Sequence, residues 1–158
     1  MTQSTTSLSA LIRTALREDI GRGDITTAAV VPPGTRVRAR IVANTAGIVA
    51  GTAVAQQVFR AVDRRIRCTV VRRDGRAVRS GQAILHLEGP ARGILMAERM
   101  ALNFLMHLSG IATLTRAFVV KARGTRAKVF DTRKTLPGLR ALEKYAVRAG
   151  GGHNHRWG

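Results

Sequence analysis

The chain has 158 residues, of which 45% are hydrophobic and 23% charged, enough for one substantial core or a small domain plus part of another. It has no apolar run long enough to cross a bilayer, no N-terminal signal segment and a single cysteine, which excludes an internal disulfide and favours a cytoplasmic protein. The net charge of +18 raises the possibility of a nucleic-acid partner, but only 4% of residues are aromatic and the basic residues are dispersed, so such binding is not the favoured interpretation.

The first half of the chain predicts alternating helices and strands. Apolar residues at helical spacing predict a helix over residues 10–19 with Ser9 as its cap, followed by a structural turn at Gly21–Asp24. Val37 to Ala43 alternates with arginines, which predicts a half-buried strand with a solvent-exposed arginine face. Further strands are expected over residues 47–51, 66–71 and 83–87, and a further helix over residues 52–62.

Pro90 opens the longest predicted helix, which runs from residue 91 to at least 107 and, after Ser109-Gly110, continues to residue 121. Its apolar composition predicts burial on most sides. Within it, four polar residues fall in an arc of about 80°: Arg92, Arg99, Asn103 and His107. A buried arginine must be paired or must bind an anion, so Arg99 is expected to meet either Glu98 or a ligand carboxylate.

Residues 127–156 follow the order strand, cationic loop, helix, glycine turn, cationic loop. A buried strand is expected over residues 127–131, followed directly by Arg133 and Lys134. Thr135 and Pro137 suit the start of a helix that ends at Gly150. A strand followed by a helix is half of a βα unit in a parallel sheet, where ligands bind at the C-terminal ends of strands.

The two cationic loops predict a binding site for a polyanion. A guanidinium can grip a carboxylate or phosphate through two parallel hydrogen bonds, and an ammonium suits phosphate oxygens. The second loop carries Asn154, His155 and Arg156 after three glycines, which would let the backbone approach a ligand. His153 and His155 could suggest a metal pair, but no cysteine or third histidine follows, so His155 is preferred as a hydrogen-bond donor.

These motifs closely resemble the quinolinate phosphoribosyltransferase family. The resemblance lies in Asp131-Thr-Arg-Lys-Thr-Leu-Pro-Gly-Leu-Arg, Glu143-Lys-Tyr-Ala-Val and Gly150-Gly-Gly-His-Asn-His-Arg, and extends back through Ala97-Glu-Arg, His107–Thr113 and Gly23-Asp-Ile-Thr-Thr. It implies an α/β fold: an α+β N-terminal sandwich domain over residues 1–107 with a long interface helix, then the first part of an incomplete α/β barrel over residues 108–158.

The resemblance also implies a decarboxylating pentosyltransferase of de novo NAD biosynthesis. Such an enzyme converts quinolinate and phosphoribosyl pyrophosphate to nicotinate mononucleotide, pyrophosphate and carbon dioxide. Lys134 would face the phosphoribosyl donor as the catalytic residue. The dicarboxylate would be held by Arg133, His155, Arg156 and, across a homodimer interface, Arg99 of the neighbouring chain.

Mg²⁺ would enter with phosphoribosyl pyrophosphate, and its protein ligands are expected beyond Gly158, since the family continues past this point. We therefore expect unpaired strand edges and little or no turnover from this chain alone. The alternatives are a related molybdenum-transport-associated homologue and a basic nucleic-acid-binding module. A biotinyl or lipoyl carrier hairpin over residues 74–89 is disfavoured because no lysine precedes Lys121.

Overall fold

The computed structural model describes residues 5–21 and 23–156. In chain order, the helices and strands are α1 (Thr5–Ile20), α2 (Ile25–Val30), β1 (Arg36–Val42), β2 (Gly47–Ile48), α3 (Thr52–Val62), β3 (Arg67–Val70), β4 (Ala77–Val78), β5 (Ala83–Pro90), α4 (Ala91–Lys121) and α5 (Arg140–Ala149). This mixture of helices and open sheets confirms the α/β class, and the predicted helix over residues 52–62 is confirmed as α3.

The larger sheet is antiparallel, with strand order β1-β5-β3, and its two faces differ in polarity. Ile41 lies opposite Leu85, and both side chains are buried. Arg38, Arg40 and His86 occupy intervening exposed positions, which confirms the solvent-facing arginine side. Since side chains alternate across a strand, this pattern directs one face of the sheet to the core and the other to water.

Helix α4 is the central element, and α1, α2, α3, α5, β2 and β5 all pack against it. It is a single helix of 31 residues that passes through Gly110 without a break. Its buried residues include Ala97, Ala101 and Leu108, whereas Met106 and Phe118 are exposed. The expectation that α4 is buried on most sides is therefore wrong: one side packs into the core and the other is open.

In the described part of the chain, α4 is also the one helix long and apolar enough to cross a bilayer, judged by length and composition. Its most apolar 18-residue window has a mean hydropathy of 1.2, and 28% of that window is buried. Core helices of soluble proteins meet the same criterion of length and composition.

Near the N-terminus, the observed helices differ from the predicted elements in their bounds. Helix α1 begins at Thr5, so Ser9 lies inside it and does not cap it. Asp24, expected in a simple turn, is the N-cap of α2, and its carboxylate accepts a hydrogen bond of 2.9 Å from the Thr27 amide. A hydrogen bond from the Thr27 hydroxyl, together with that from the amide, lowers the pKa of Asp24 below its ordinary value.

The strand expected over residues 47–51 is only two residues long, as β2. Val49 still exchanges backbone hydrogen bonds with residues 75 and 76, and the chain turns to α4 at Ala50, whose amide donates to Ser109 Oγ at 3.0 Å. Thr113 Oγ1 of α4 likewise accepts the Ile48 amide at 2.8 Å. Hydroxyls of α4 therefore accept amide hydrogen bonds from this segment that β4 does not take.

Asp74 links the sheet region to both α3 and α5. Its carboxylate accepts hydrogen bonds from the amides of Gly51 and Thr52, at 2.9 and 3.1 Å, at the start of α3. It also accepts one from the Tyr145 hydroxyl of α5 at 2.6 Å. A negative charge at a helix N-terminus is favourable, and here the same charge holds α5 in place.

The segment over residues 127–131 does not form the buried strand expected. It makes one parallel bridge, between Phe130 and His153, with His153 N donating to Val129 O at 2.8 Å. A longer ladder needs a paired neighbour over its whole length, and among the described residues only the stretch around His153 lies alongside. The parallel direction agrees with the predicted βα unit, although Phe130 is exposed.

Candidate active site

The parallel bridge brings two loops together. The first cationic loop, residues 131–139, follows Phe130 and leads into α5. The second cationic loop, residues 150–156, follows α5 and returns beside the first. The Asp131 amide donates to His153 O at 3.0 Å, so the loops begin from a shared backbone contact.

Four of the five basic residues predicted at the site lie on these loops: Arg133 and Lys134 on the first, His155 and Arg156 on the second. All four are exposed, and within the described residues their side chains make no hydrogen bond or ion pair. Cationic groups without internal partners are available to an anionic ligand.

Local hydrogen bonds shape the first cationic loop. The Lys134 amide donates to Thr132 Oγ1 at 3.2 Å, and the Thr135 amide donates to Arg133 O at 3.1 Å. Thr135 was expected to cap α5, but the N-cap is Leu139, which makes no side-chain cap bond. Thr135 Oγ1 instead accepts a hydrogen bond from Arg140 Nε at 3.3 Å.

A buried carboxylate joins the two loops. Asp131 accepts hydrogen bonds from Lys144 Nζ at 2.6 Å, from the His155 amide at 2.8 Å and from Asn154 Nδ2. Burial alone would raise the pKa of Asp131, but the hydrogen bonds from Lys144, Asn154 and the His155 amide outweigh it and hold that pKa below its ordinary value. Asp131 is therefore a carboxylate that the fold keeps ionised.

Lys144 is the residue of this site that sequence analysis missed. Its side chain is 0% exposed, in α5. Most lysines on helices are solvated, so no local pattern distinguished Lys144 from a surface residue. The available signal was its place in the Glu143-Lys-Tyr-Ala-Val motif, to which no role was given.

The glycine turn also differs from expectation. A Cβ on Gly150 would lie 2.5 Å from Ala112 O of α4, and one on Gly152 would lie 2.9 Å from Thr115 Cγ2. Arg116 Nε of α4 donates to Gly150 O at 2.8 Å. Gly150 and Gly152 thus allow the second cationic loop to pack against α4, a reason for glycine separate from close approach to a ligand.

The polar stripe predicted on α4 does not act as one buried unit. The Arg99 side chain is 73% exposed, so its predicted burial is wrong. Its NH1 contacts Asp19 Oδ1 of α1 at 2.9 Å, and the disfavoured alternative, Glu98, is not the partner observed. Sequence analysis could not foresee this pairing, because Asp19 is 80 residues away along the chain. A cavity of about 290 Å³ opens beside the pair.

Two further stripe residues, Arg92 and His107, have separate partners. Arg92 donates to the carbonyls of Val31 and Ala28, at 2.8 and 2.9 Å, at the end of α2. His107 Nε2 lies 3.0 Å from Glu143 Oε1 and so connects α4 to α5.

The described residues do not fit a protein-held magnesium site. They contain no group of three or more His, Cys, Asp or Glu residues placed to hold a metal ion. The one carboxylate between the loops, Asp131, already accepts hydrogen bonds from Lys144, Asn154 and the His155 amide. Mg²⁺ is bound by oxygen atoms that are free to coordinate it. Both oxygens of the Asp131 carboxylate already accept hydrogen bonds from the protein.

Comparison with protein families agrees with this arrangement. Residues 24–109 match the family model described as quinolinate phosphoribosyl transferase, N-terminal domain, and residues 111–158 match the model of the C-terminal domain. The chain belongs to the quinolinate phosphoribosyltransferase family. The resemblance identified from the motifs is thereby confirmed.

Among its relatives is the nicotinate-nucleotide pyrophosphorylase [carboxylating] of Mycobacterium leprae, 53% identical over 152 residues, covering 93% of this chain and 53% of that protein. The probable nicotinate-nucleotide pyrophosphorylase [carboxylating] of Bacillus subtilis is 44% identical, covering 96% of this chain and 52% of that protein. The chain spans about half the length of the curated relatives it matches.

Solved structures show the same fold. The crystal structure of NadC from Streptococcus pyogenes matches 100% of this chain and 56% of its own, with a TM-score of 0.94 and 41% identity. The nicotinate-nucleotide pyrophosphorylase of Francisella tularensis matches 99% of this chain and 56% of its own, with a TM-score of 0.93 and 38% identity. The two quinolinate phosphoribosyltransferase family models meet within α4, between residues 109 and 111.

Proposed function

We propose that this chain carries the substrate-binding loops of a quinolinate phosphoribosyltransferase. The reaction joins quinolinate to phosphoribosyl pyrophosphate and yields nicotinate mononucleotide, pyrophosphate and carbon dioxide, as a step of NAD biosynthesis. One observation carries the proposal: the two cationic loops lie side by side, with Arg133, Lys134, His155 and Arg156 exposed and unpaired within the described residues.

The residue types suit two polyanionic substrates. The guanidinium groups of Arg133 and Arg156 can each form a two-point contact with a carboxylate of quinolinate, and His155 can donate a further hydrogen bond. Lys134, a compact cation, faces the phosphates of the second substrate. Holding both anions at one place offsets their repulsion and directs the ring nitrogen at the anomeric carbon.

The bond changes follow from that placement. The ring nitrogen forms a bond to the anomeric carbon as pyrophosphate leaves, which produces a pyridinium. The carboxylate on the carbon next to that nitrogen then departs as carbon dioxide, and its bonding electron pair stays on that carbon, stabilised by the positive ring. Uptake of a proton from water at the same carbon gives nicotinate mononucleotide. The residues of this chain contribute binding, orientation and charge. Mg²⁺ enters with the pyrophosphate of the donor, and no step is assigned to it because the described residues do not form a site for it.

Arg99 completes the dicarboxylate site from a second copy of the chain, in a cytoplasmic homodimer. It lies on α4, where its exposed guanidinium uses one nitrogen on Asp19 and retains other N–H groups for a ligand.

Calorimetric titration with quinolinate tests the binding site. Arg133→Ala removes hydrogen bonds to a charged ligand, worth about 1.5–3 kcal/mol, so its Kd should rise about 10- to 100-fold. Arg60→Ala on α3 makes the same charge change at a distant exposed position and should leave Kd unchanged. Absence of binding by the unaltered protein, or equal effects of the two substitutions, would refute the proposal.

Mixing two variants tests the shared site. Arg99→Ala and Arg133→Ala should each bind poorly, but a mixed dimer regains one intact site from complementary chains. After reassociation of an equal mixture, half the dimers are mixed, so about a quarter of the original binding sites should return. No recovery would mean that Arg99 does not serve a neighbouring chain.

A further inference from the structure

A fully buried ammonium group is an uncommon feature that needs a physical reason. The Lys144 side chain is 0% exposed and the Asp131 side chain 4%, and Nζ and Oδ1 are 2.6 Å apart. Removing two charges from water is costly, and a buried ion pair often stabilises a fold no better than apolar residues of similar size. Fold stability alone is therefore a weak explanation for this pair.

The partners of the pair lie on the two cationic loops. Asp131 stands two residues before Arg133 and three before Lys134, and it accepts the amide of His155 at 2.8 Å. Asn154 Nδ2 donates both to Asp131 and to the Lys144 carbonyl, the latter at 2.9 Å.

These bonds fix direction as well as proximity. Apolar contacts tolerate sliding, whereas each of these hydrogen bonds requires a particular orientation. A displaced or rotated Asp131 would lengthen or misalign its hydrogen bonds with Asn154 and with the His155 amide. The separation of the two loops, and of the basic side chains they carry, therefore depends on this cluster.

We propose that Asp131, Lys144 and Asn154 form a buried positioning cluster that sets the geometry of the two cationic loops for dicarboxylate binding. Lys144 is a positioning residue: it does not contact the ligand, and it acts through Asp131. The identity of the ligand rests on the proposed function, whereas the coupling of the loops does not.

Calorimetry separates positioning from a general loss of stability. The fitted stoichiometry reports the folded fraction, and Kd reports the geometry of the folded site. Lys144→Met should raise the Kd for quinolinate about tenfold or more with little change in stoichiometry, and Lys144→Arg, which keeps the charge, should recover part of that loss. Val58→Ala, at a fully buried position of α3, is the control: it lowers stability but should leave Kd unchanged.

If Lys144→Met fails to fold because Asp131 loses its counter-charge, the double variant Asp131→Asn with Lys144→Met replaces it. That variant contains no unpaired buried charge and should show the same rise in Kd. Lowered stoichiometry with unchanged Kd in the folded variant would overturn the proposal and make the cluster purely structural.

Hydrogen–deuterium exchange tests the coupling without any ligand. In the same variants, residues 150–156 should exchange faster while residues 52–62 of α3 keep their protection. Unchanged exchange of residues 150–156 would overturn the positioning cluster. Faster exchange in the variants, together with no quinolinate binding by the unaltered protein, would refute the proposed function and leave the loop coupling standing.

Discussion

Single carboxylates organise much of this molecule. Asp131 joins the two cationic loops, Asp74 joins the start of α3 to α5, and Asp24 caps α2. With only 9 acidic residues against 27 lysines and arginines, each carboxylate has several possible cationic partners. Yet these three carboxylates accept hydrogen bonds mainly from backbone amides and neutral side chains. Lys144, which donates to Asp131, is the cationic exception among these bonds.

The phenol of Tyr145 should titrate above its ordinary value of 10.0. Burial is the main cause, and the hydrogen bond to Asp74 and the negative charge of Asp74 raise the pKa further. Because the folded state holds this proton more tightly than the unfolded state, its contribution to stability is complete below pH of about 10 and is lost as pH rises through the folded pKa.

Tyr145 is the only tyrosine, so ultraviolet absorbance of the phenolate reports it without interference. Asp74→Asn should lower the transition pH part of the way toward the ordinary value, since burial remains. A transition at the ordinary value in the unaltered protein would contradict the Tyr145–Asp74 hydrogen bond.

At the scale of elements, the contact between α4 and α5 determines where the second cationic loop lies. It combines close backbone packing at Gly150 and Gly152 with polar contacts such as His107–Glu143 and Arg116–Gly150. The candidate site is thus built against the same helix that forms the N-terminal core.

Two glycine-to-alanine changes should alter stability in opposite directions. Gly150→Ala places a methyl group 2.5 Å from Ala112 O, so α5 must shift, and the free energy of unfolding should fall by about 1–3 kcal/mol. Gly110 lies in the interior of α4, and no atom is within 4 Å of a Cβ added there. Gly110→Ala should therefore raise the free energy of unfolding by about 0.5–1 kcal/mol.

Urea denaturation followed by circular dichroism measures the free energy of unfolding of both variants. Equal effects of the two substitutions would mean that helix propensity, and not the packing of α5 on α4, governs position 150.

At the scale of the whole molecule, a net charge of +18 and a local pair of cationic loops are separate features. Net charge acts over the whole surface and is screened by salt, whereas the loops present particular basic side chains in one place. The dispersed arginines, including those on the exposed face of β1, account for much of the net charge.

Duplex DNA and quinolinate should therefore respond differently to the same substitutions. Weak DNA binding at low salt should decline equally in Arg133→Ala and Arg60→Ala and should disappear as salt rises, whereas quinolinate binding should weaken only in Arg133→Ala. Fluorescence anisotropy with labelled DNA measures the DNA binding. DNA binding that depends on Arg133 and is displaced by quinolinate would instead support the nucleic-acid alternative.

The amino-acid sequence by itself determined the family, the α/β class and the central helices, because these depend on local motifs and on apolar spacing along the chain. Helix α3 and the long helix α4 could be predicted for that reason, and the basic residues of both loops could be named. Their roles, the domain boundary near residue 107 and the dimer stay predictions.

Only the tertiary structure decided which groups meet. Lys144 is buried and pairs with Asp131, whereas Arg99 is exposed and pairs with Asp19. In place of the strand expected over residues 127–131, the structure has one β-bridge. Each outcome depends on a residue distant in sequence or on a neighbouring segment. Burial and hydrogen bonding are set by such neighbours, which no local pattern of residues contains.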